Sequence, residues 1–196
     1  MSTIMMRMNR CASLARTGDA SMRSALHEAL LDPEWPVRLA AVLALEDLRN
    51  PESVDHLLDL LEQEGDAPIY TQQGELVHVG AAQVSTPALD PLLGNASQVI
   101  ADAWARRGRV RQAICLALGA IGIATPKVIL ALGGCAISAL EDYPVRAAAA
   151  RSLGRLGSPD ALPFLLKAAD DPEWCTRTEA QKSLRLIHRV TDGHSH

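Results

Sequence analysis

Aromatic residues are scarce in this sequence, which has three Trp, two Tyr and one Phe in 196 residues. Hydrophobic residues nevertheless make up 48% of the chain. Any core must therefore be built from Ala, Leu, Ile and Val rather than from aromatic rings. Because small Ala side chains let helices approach closely, this composition favours stacked pairs of helices.

The four cysteines show no CxxC spacing, so they predict neither a zinc site nor a disulfide framework. Cys115 and Cys135 lie in apolar helical stretches, where a free cysteine behaves as a small hydrophobe. Residues 1–20 lack the apolar region of a signal peptide. The apolar run 128–140 is shorter than the ~20 residues of a membrane helix. We therefore expect a reducing, cytoplasmic location.

Strong basic character is also missing, because the formal net charge is −4. The densest basic run, 106–111, contains four arginines and no aromatic side chain on which a base could stack. We interpret this run as a solvated segment. The sequence therefore predicts neither a nucleic-acid partner nor a membrane partner.

An internal repeat is the strongest positive signal. Residues 144–174 predict a helix, a Gly-Ser-Pro turn, a second helix and an Asp-Pro stop. Shifted back by about 139 positions without a gap, the segment Asp171-Pro-Glu-Trp174 falls on Asp32-Pro-Glu-Trp35. Arg177 falls on Arg38 in the same register. A repeat at the length of a helix pair predicts a solenoid.

Apolar periodicity with proline and glycine stops predicts an N-terminal capping helix and alternating A and B helices. The capping helix lies within 1–17, and 191–196 is predicted to be a flexible tail. The predicted A helices are 22–31, 52–63, 125–140 and 158–169. The predicted B helices are 34–49, 109–121, 144–156 and 173–190.

A long insertion, 67–108, interrupts the second repeat. Its β-branched residues and glycine at 68–80 allow a short β-hairpin, and 95–107 predicts a helix. Its apolar content favours a packed insertion over a disordered one. Two roles remain open for it: it covers the groove of the array, or it binds a partner.

Each B helix begins with Val-Arg or its equivalent, namely Val37-Arg38, Val110-Arg111, Val145-Arg146 and Thr176-Arg177. Together with the Ala-rich text that follows, this resembles the HEAT-like repeats of the phycobilisome-lyase type over 10–66 and 109–190. The resemblance implies one all-α domain, a right-handed α-solenoid of about four helix pairs with one insertion.

Repeats of this kind mostly serve as scaffolds and adaptors, so the resemblance implies a non-catalytic protein that binds another protein. The alternative is a lyase-like or cofactor-handling enzyme or chaperone of the phycobilin-lyase type. No residue marks a tetrapyrrole site, and we expect no catalytic residue and no cofactor. The sequence leaves the oligomeric state open, a homo-oligomer included.

B helices line the concave face of such arrays, and here they carry apolar side chains beyond their core stripe. An apolar concave face predicts a cover, which is either the insertion 67–108, the alternative we slightly favour, or a partner helix or peptide. We predict that the partner-binding residues are Leu39, Val42, Leu43, Cys115 and Leu116, with Arg146, Arg151 and Arg155 on the next B helix.

The four arginines at the helix starts form what we call the arginine ladder: Arg38, Arg111, Arg146 and Arg177. One hypothesis makes it a stripe for an anionic ligand. We favour the other, in which each arginine bonds helix-end carbonyls or turn carboxylates such as Asp32, Asp142 and Asp171, because the planar guanidinium suits bridging.

His27-Glu28 is the one pair that suggests a metal site. HEAT-like hydroxylases bind two irons through several His-Glu pairs on successive helices. The positions that match this pair in the other repeat are Leu166-Lys167. One pair cannot supply the ligand set, so we expect no metal.

Overall fold

The computed structural model describes residues 3–17, 20–66 and 94–192, and every regular element in these ranges is helical. The predicted all-α solenoid is confirmed. Short 3₁₀ turns, Pro51–Ser53 and Pro159–Ala161, lead into α4 and α8. The helices are α1 Thr3–Thr17, α2 Ala20–Ala29, α3 Trp35–Leu48, α4 Val54–Asp66, α5 Gly94–Ile121, α6 Pro126–Ile137, α7 Tyr143–Leu156, α8 Leu162–Ala168 and α9 Trp174–Asp192.

The helices form two layers around one core. The A layer contains α2, α4, α6 and α8, and the B layer contains α1, α3, α5, α7 and α9. Each A helix packs on the B helix that follows it in the chain. Each B helix also packs along its neighbours in the layer, more extensively than A helices do. The B helices therefore approach one another more closely than the A helices do.

Local sequence explains where the helices begin and end. The Thr125 side chain accepts a hydrogen bond from the Val128 amide at the start of α6, and Asp142 accepts one from the Tyr143 amide at the start of α7. Such side chains satisfy amides that the first helical turn leaves unpaired. Gly157 ends α7 at φ 67°, a left-handed conformation that glycine adopts without a Cβ penalty.

Two glycines set the spacing of the last three B helices. A Cβ on Gly119 of α5 would lie 2.9 Å from the Cα of Ser152 on α7, and a Cβ on Gly154 of α7 would lie 2.8 Å from the Cα of Ser183 on α9. These distances are shorter than real Cβ contacts. Bare backbone at these two positions therefore lets α5, α7 and α9 pack against one another.

Several helix bounds differ from the prediction. The predicted helices 95–107 and 109–121 are one continuous helix, α5. Gly108, which separates them in the sequence, does not break the helix, because an interior glycine costs only about 1 kcal/mol relative to alanine. Helix α6 ends at Ile137 instead of 140, where Ser138 turns extended at ψ 122°. Helix α9 continues to Asp192, into the predicted tail.

The predicted hairpin at 68–80 lies outside the described residues. Within the described part of the chain, none of the helices has the length and apolar character needed to cross a bilayer.

Candidate protein-binding surface

The arginine ladder forms a series of internal cross-links. The Arg38 Nε lies 2.6 Å from the Glu64 Oε1 at the end of α4. Arg111 bonds both carboxylate oxygens of Glu141, which follows α6. Each arginine therefore joins its own B helix to the end of the next A helix.

Arg146 repeats this arrangement one repeat further on. Its Nε and Nη2 donate to the two carboxylate oxygens of Asp171 at 2.7 Å and 3.0 Å, a bidentate pair. Its Nη1 donates to the carbonyl of Glu141, in the turn before its own helix. Arg177 likewise donates to the carbonyls of Asp171 and Pro172. The ladder is therefore a structural brace, as the favoured hypothesis predicted.

The carboxylate partners differ in part from those predicted. Asp171 is a partner, but Glu64 and Glu141 take the places expected for Asp32 and Asp142. Arg38 instead reaches the carbonyls of Asp32 and Pro33. Glu64 and Glu141 lie 26 and 30 residues after their arginines, so no local pattern marks them as partners.

Asp142 caps α7 and stands beside like charges. Partial burial raises its pKa above the ordinary value, and the carboxylates of Glu141 and Glu173 add to this, against the Tyr143 amide bond and Arg146. The capping bond from the Tyr143 amide is 2.8 Å long. Asp142 is thus occupied at the helix start and does not bond a ladder arginine.

Sequence reasoning missed a fifth member of the ladder, Arg7 on α1. Its Nε lies 2.9 Å from the Oδ2 of Asp32. Asp32 accepts the Glu34 amide at 2.9 Å, and Asp171 accepts the Glu173 amide at 2.8 Å. The repeat offset that maps Asp171 onto Asp32 also maps Arg146 onto Arg7, so the signal was present in the sequence.

Counting from the ladder arginines identifies the solvent-exposed face of the B helices. The fifth residue after each arginine is Ala12, Leu43, Leu116, Arg151 or Lys182. Leu43 is 48% exposed, Leu39 and Leu116 are half-buried, and Arg151 and Arg155 are exposed. We call Leu39, Leu43, Leu116, Arg151 and Arg155 the B-layer surface.

Three predicted binding residues do not belong to this surface. Val42 and Cys115 are fully buried, because a B helix inside the array packs on two neighbours of its own layer and on an A helix. Arg146 is 9% exposed, and its guanidinium is occupied by Asp171. These three side chains stabilise the array and are not available to a partner.

Cys115 and Cys135 meet inside the protein next to Arg111. The Arg111 Nη2 lies 3.7 Å from the Cys135 Sγ. A hydrogen bond from the Cys115 thiol, with the charge of Arg111, lowers the pKa of Cys135 despite its burial. The same hydrogen bond, together with burial, raises the pKa of Cys115. Both cysteines are free and buried.

His27 lies in a groove of about 330 Å³ between α2 and α4, on the A side. Its ring meets that of His56 edge to face, with centroids 4.0 Å apart, and its Nε2 lies 3.0 Å from the Ser53 Oγ. Burial lowers the pKa of His27, and His56 adds to this. Across residues 3–17, 20–66 and 94–192, no group of three or more His, Cys, Asp or Glu side chains is arranged to hold a metal ion.

Exposed apolar side chains are not confined to the B layer. Leu31, Leu130, Leu140, Leu166 and Trp174 are all more than half exposed. Exposure alone therefore does not single out a binding surface. The B-layer surface differs because Leu43, Leu116 and Arg151 take the same position, five residues after the ladder arginine, on three helices that pack side by side.

Two layers of antiparallel helices, cross-linked by a repeated arginine, define an α-solenoid repeat protein. Residues 4–72 and 97–185 match the family model described as HEAT repeats. The chain therefore belongs to the HEAT-repeat family.

No curated protein matches this chain. Among solved structures, human deoxyhypusine hydroxylase in complex with glycerol is 19% identical, covering 96% of this chain and 81% of that chain, with a TM-score of 0.40. At this level of similarity, the comparison says nothing about activity.

Proposed function

We propose that this protein is a non-catalytic interaction scaffold that binds another protein, rather than nucleic acid or membrane, on the B-layer surface. The observation that carries the proposal is the exposure of Leu43, at 48%, together with half-buried Leu39 on the same helix and half-buried Leu116 at the matching position of α5. Burial of such apolar area from water is the main source of affinity in protein association.

The internal cross-links support a scaffold role. The ladder arginines are committed to carboxylates and carbonyls within the chain, so the B helices form a braced platform. A braced platform loses little conformational freedom on binding, which favours affinity. Arg151 and Arg155 lie on the outer side of this platform and are free to meet a partner, because no ion pair holds them within the described residues.

The test places a photo-activated cross-linking residue at position 43 or 116 of the full-length protein in its native cells. We expect the same discrete adduct from both positions, because they are neighbours on one surface. A cross-linker at Leu166, which is 59% exposed on the A layer, is the matched control and should not give this adduct.

Two results would overturn the proposal. One is adduct formation that is equal at 43, 116 and 166, which would mean nonspecific contact. The other is a stoichiometric chromophore or iron in the purified protein, detected by absorption spectroscopy and metal analysis. That result would instead support the lyase-like or cofactor-handling function of the phycobilisome-lyase type.

A further inference from the structure

We infer that the segment bound on the B-layer surface is an amphipathic helix with apolar side chains at one end and carboxylates at the other. The inference rests on the proposed function, since it specifies the partner of the same surface. Its basis is a change of chemistry along equivalent positions of the B layer, from Leu43 and Leu116 to Arg151.

The positive charges at the basic end of the B-layer surface are not neutralised by ion pairs within the described part of the chain. Arg151 and Arg155 are exposed on α7, and neither forms an ion pair with any described residue. On the next helix, Lys182 has a partner of its own, Glu179, at 2.7 Å. A carboxylate of a bound segment would therefore form an ion pair with Arg151 or Arg155 on α7.

The charge at the position nine residues after the ladder arginine changes along the B layer, and α1, which packs on α3, carries exposed Arg16 there. Asp47 on α3 is exposed at the position that Arg155 takes on α7, nine residues after the ladder arginine. An acidic group placed beside Leu43 would meet repulsion from Asp47, while the same group beside Arg155 would be attracted. For a segment that spans α3 to α7, Asp47 and Arg155 therefore favour the direction that places its acidic end on α7.

The spacing sets the length of the segment. Packed helices lie about 8–10 Å apart, so Leu43 and Arg151, two helices apart, are separated by about 20 Å. An α-helix rises about 1.5 Å per residue, which makes this about 13 residues. A helix suits this surface, because the backbone groups of the B helices are used internally and offer no edge to which a strand could pair.

The experiment selects binders to the full-length protein from a displayed library of 18-residue peptides. We expect enriched peptides with an apolar helical stripe at one end and two or more Asp or Glu near the other. Binding of a synthetic copy, measured by fluorescence anisotropy, should fall about tenfold or more in the double variant Arg151→Glu, Arg155→Glu, roughly the effect of losing close charge pairs at an interface.

Lys167→Glu is the matched charge control, because Lys167 is exposed on α8 in the other layer. It should leave peptide affinity unchanged. Leu43→Ser should weaken binding, whereas Leu166→Ser should not. Circular dichroism and thermal unfolding verify that each variant is folded before its affinity is measured.

The inference is overturned if the library gives no binder, if the enriched peptides are basic or uncharged, or if acidic binders are insensitive to the α7 double variant. Cross-linking at 43 and 116 separates the two claims. If the shared adduct forms but acidic selectivity is absent, the scaffold function stands and this inference fails. If the adduct is absent as well, both fail.

Discussion

At the scale of single residues, the Arg146–Asp171 pair illustrates why the ladder arginines are structural. Both side chains are about nine-tenths buried and meet in a bidentate pair. Replacing Arg146 with Ala would leave the Asp171 carboxylate buried without its counter-charge. We expect the free energy of unfolding, measured with urea, to fall by about 3–5 kcal/mol.

Lys127 provides the control for this prediction. It pairs with Asp55 at 3.2 Å, but the two side chains are 61% and 78% exposed. Solvent screens such pairs, so Lys127→Ala should change the free energy of unfolding by about 0–1 kcal/mol. Equal effects of the two substitutions would contradict the structural role of Arg146.

His27 predicts a dependence of stability on pH. Its folded pKa is lowered, first by burial and then by the nearby His56, so the unfolded chain binds this proton more readily. The contribution of neutral His27 is therefore complete above the unfolded pKa of about 6.5 and is lost as pH falls through the folded pKa. In urea unfolding at pH 7.5 and 5.5, His27→Gln should lose less stability on acidification than the parent. A parallel loss in both proteins would contradict this.

At the scale of helices, the contact between α7 and α9 depends on Gly154. A side chain at this position would overlap Ser183, so Gly154→Ala should separate the two helices and reduce the free energy of unfolding by about 1–3 kcal/mol. Gly134 is the matched control, because it is also interior to a helix but has open space around its Cβ position. Gly134→Ala should stabilise the protein by up to about 1 kcal/mol.

A second substitution tests the cause of this loss. Ser183→Gly removes the side chain that the new methyl group would meet. The double variant Gly154→Ala, Ser183→Gly should therefore regain part of the lost stability, with a favourable coupling energy in a double-mutant cycle. Strictly additive effects would show that the Gly154 substitution acts through something other than this contact.

At the scale of the whole molecule, the internal repeat predicted the alternating A and B helices, because one offset matches Asp171 with Asp32 and Arg177 with Arg38. The same offset would have found Arg7. The continuous α5 could not be predicted, because the cost of Gly108 in a helix is small and depends on packing. The burial of Val42 and Cys115 also escaped prediction, since periodicity shows that a face is apolar but not how much of it the neighbouring helices cover.

The array also predicts how a local perturbation spreads. Each B helix packs mainly on its immediate neighbours. A substitution should therefore change mainly the local stability of its own helix and of the adjacent helices. Gly154→Ala should therefore speed amide hydrogen exchange in α7 and α9 while leaving α1 and α3 at the parent rate, as measured by mass spectrometry under native conditions. A substitution at the other end of the array, Arg38→Ala, should speed amide hydrogen exchange in α3 and α4, because Arg38 joins α3 to Glu64 on α4. Exchange in α9 should stay at the parent rate. Uniform acceleration along the chain in both variants would mean that the described helices open as one cooperative unit.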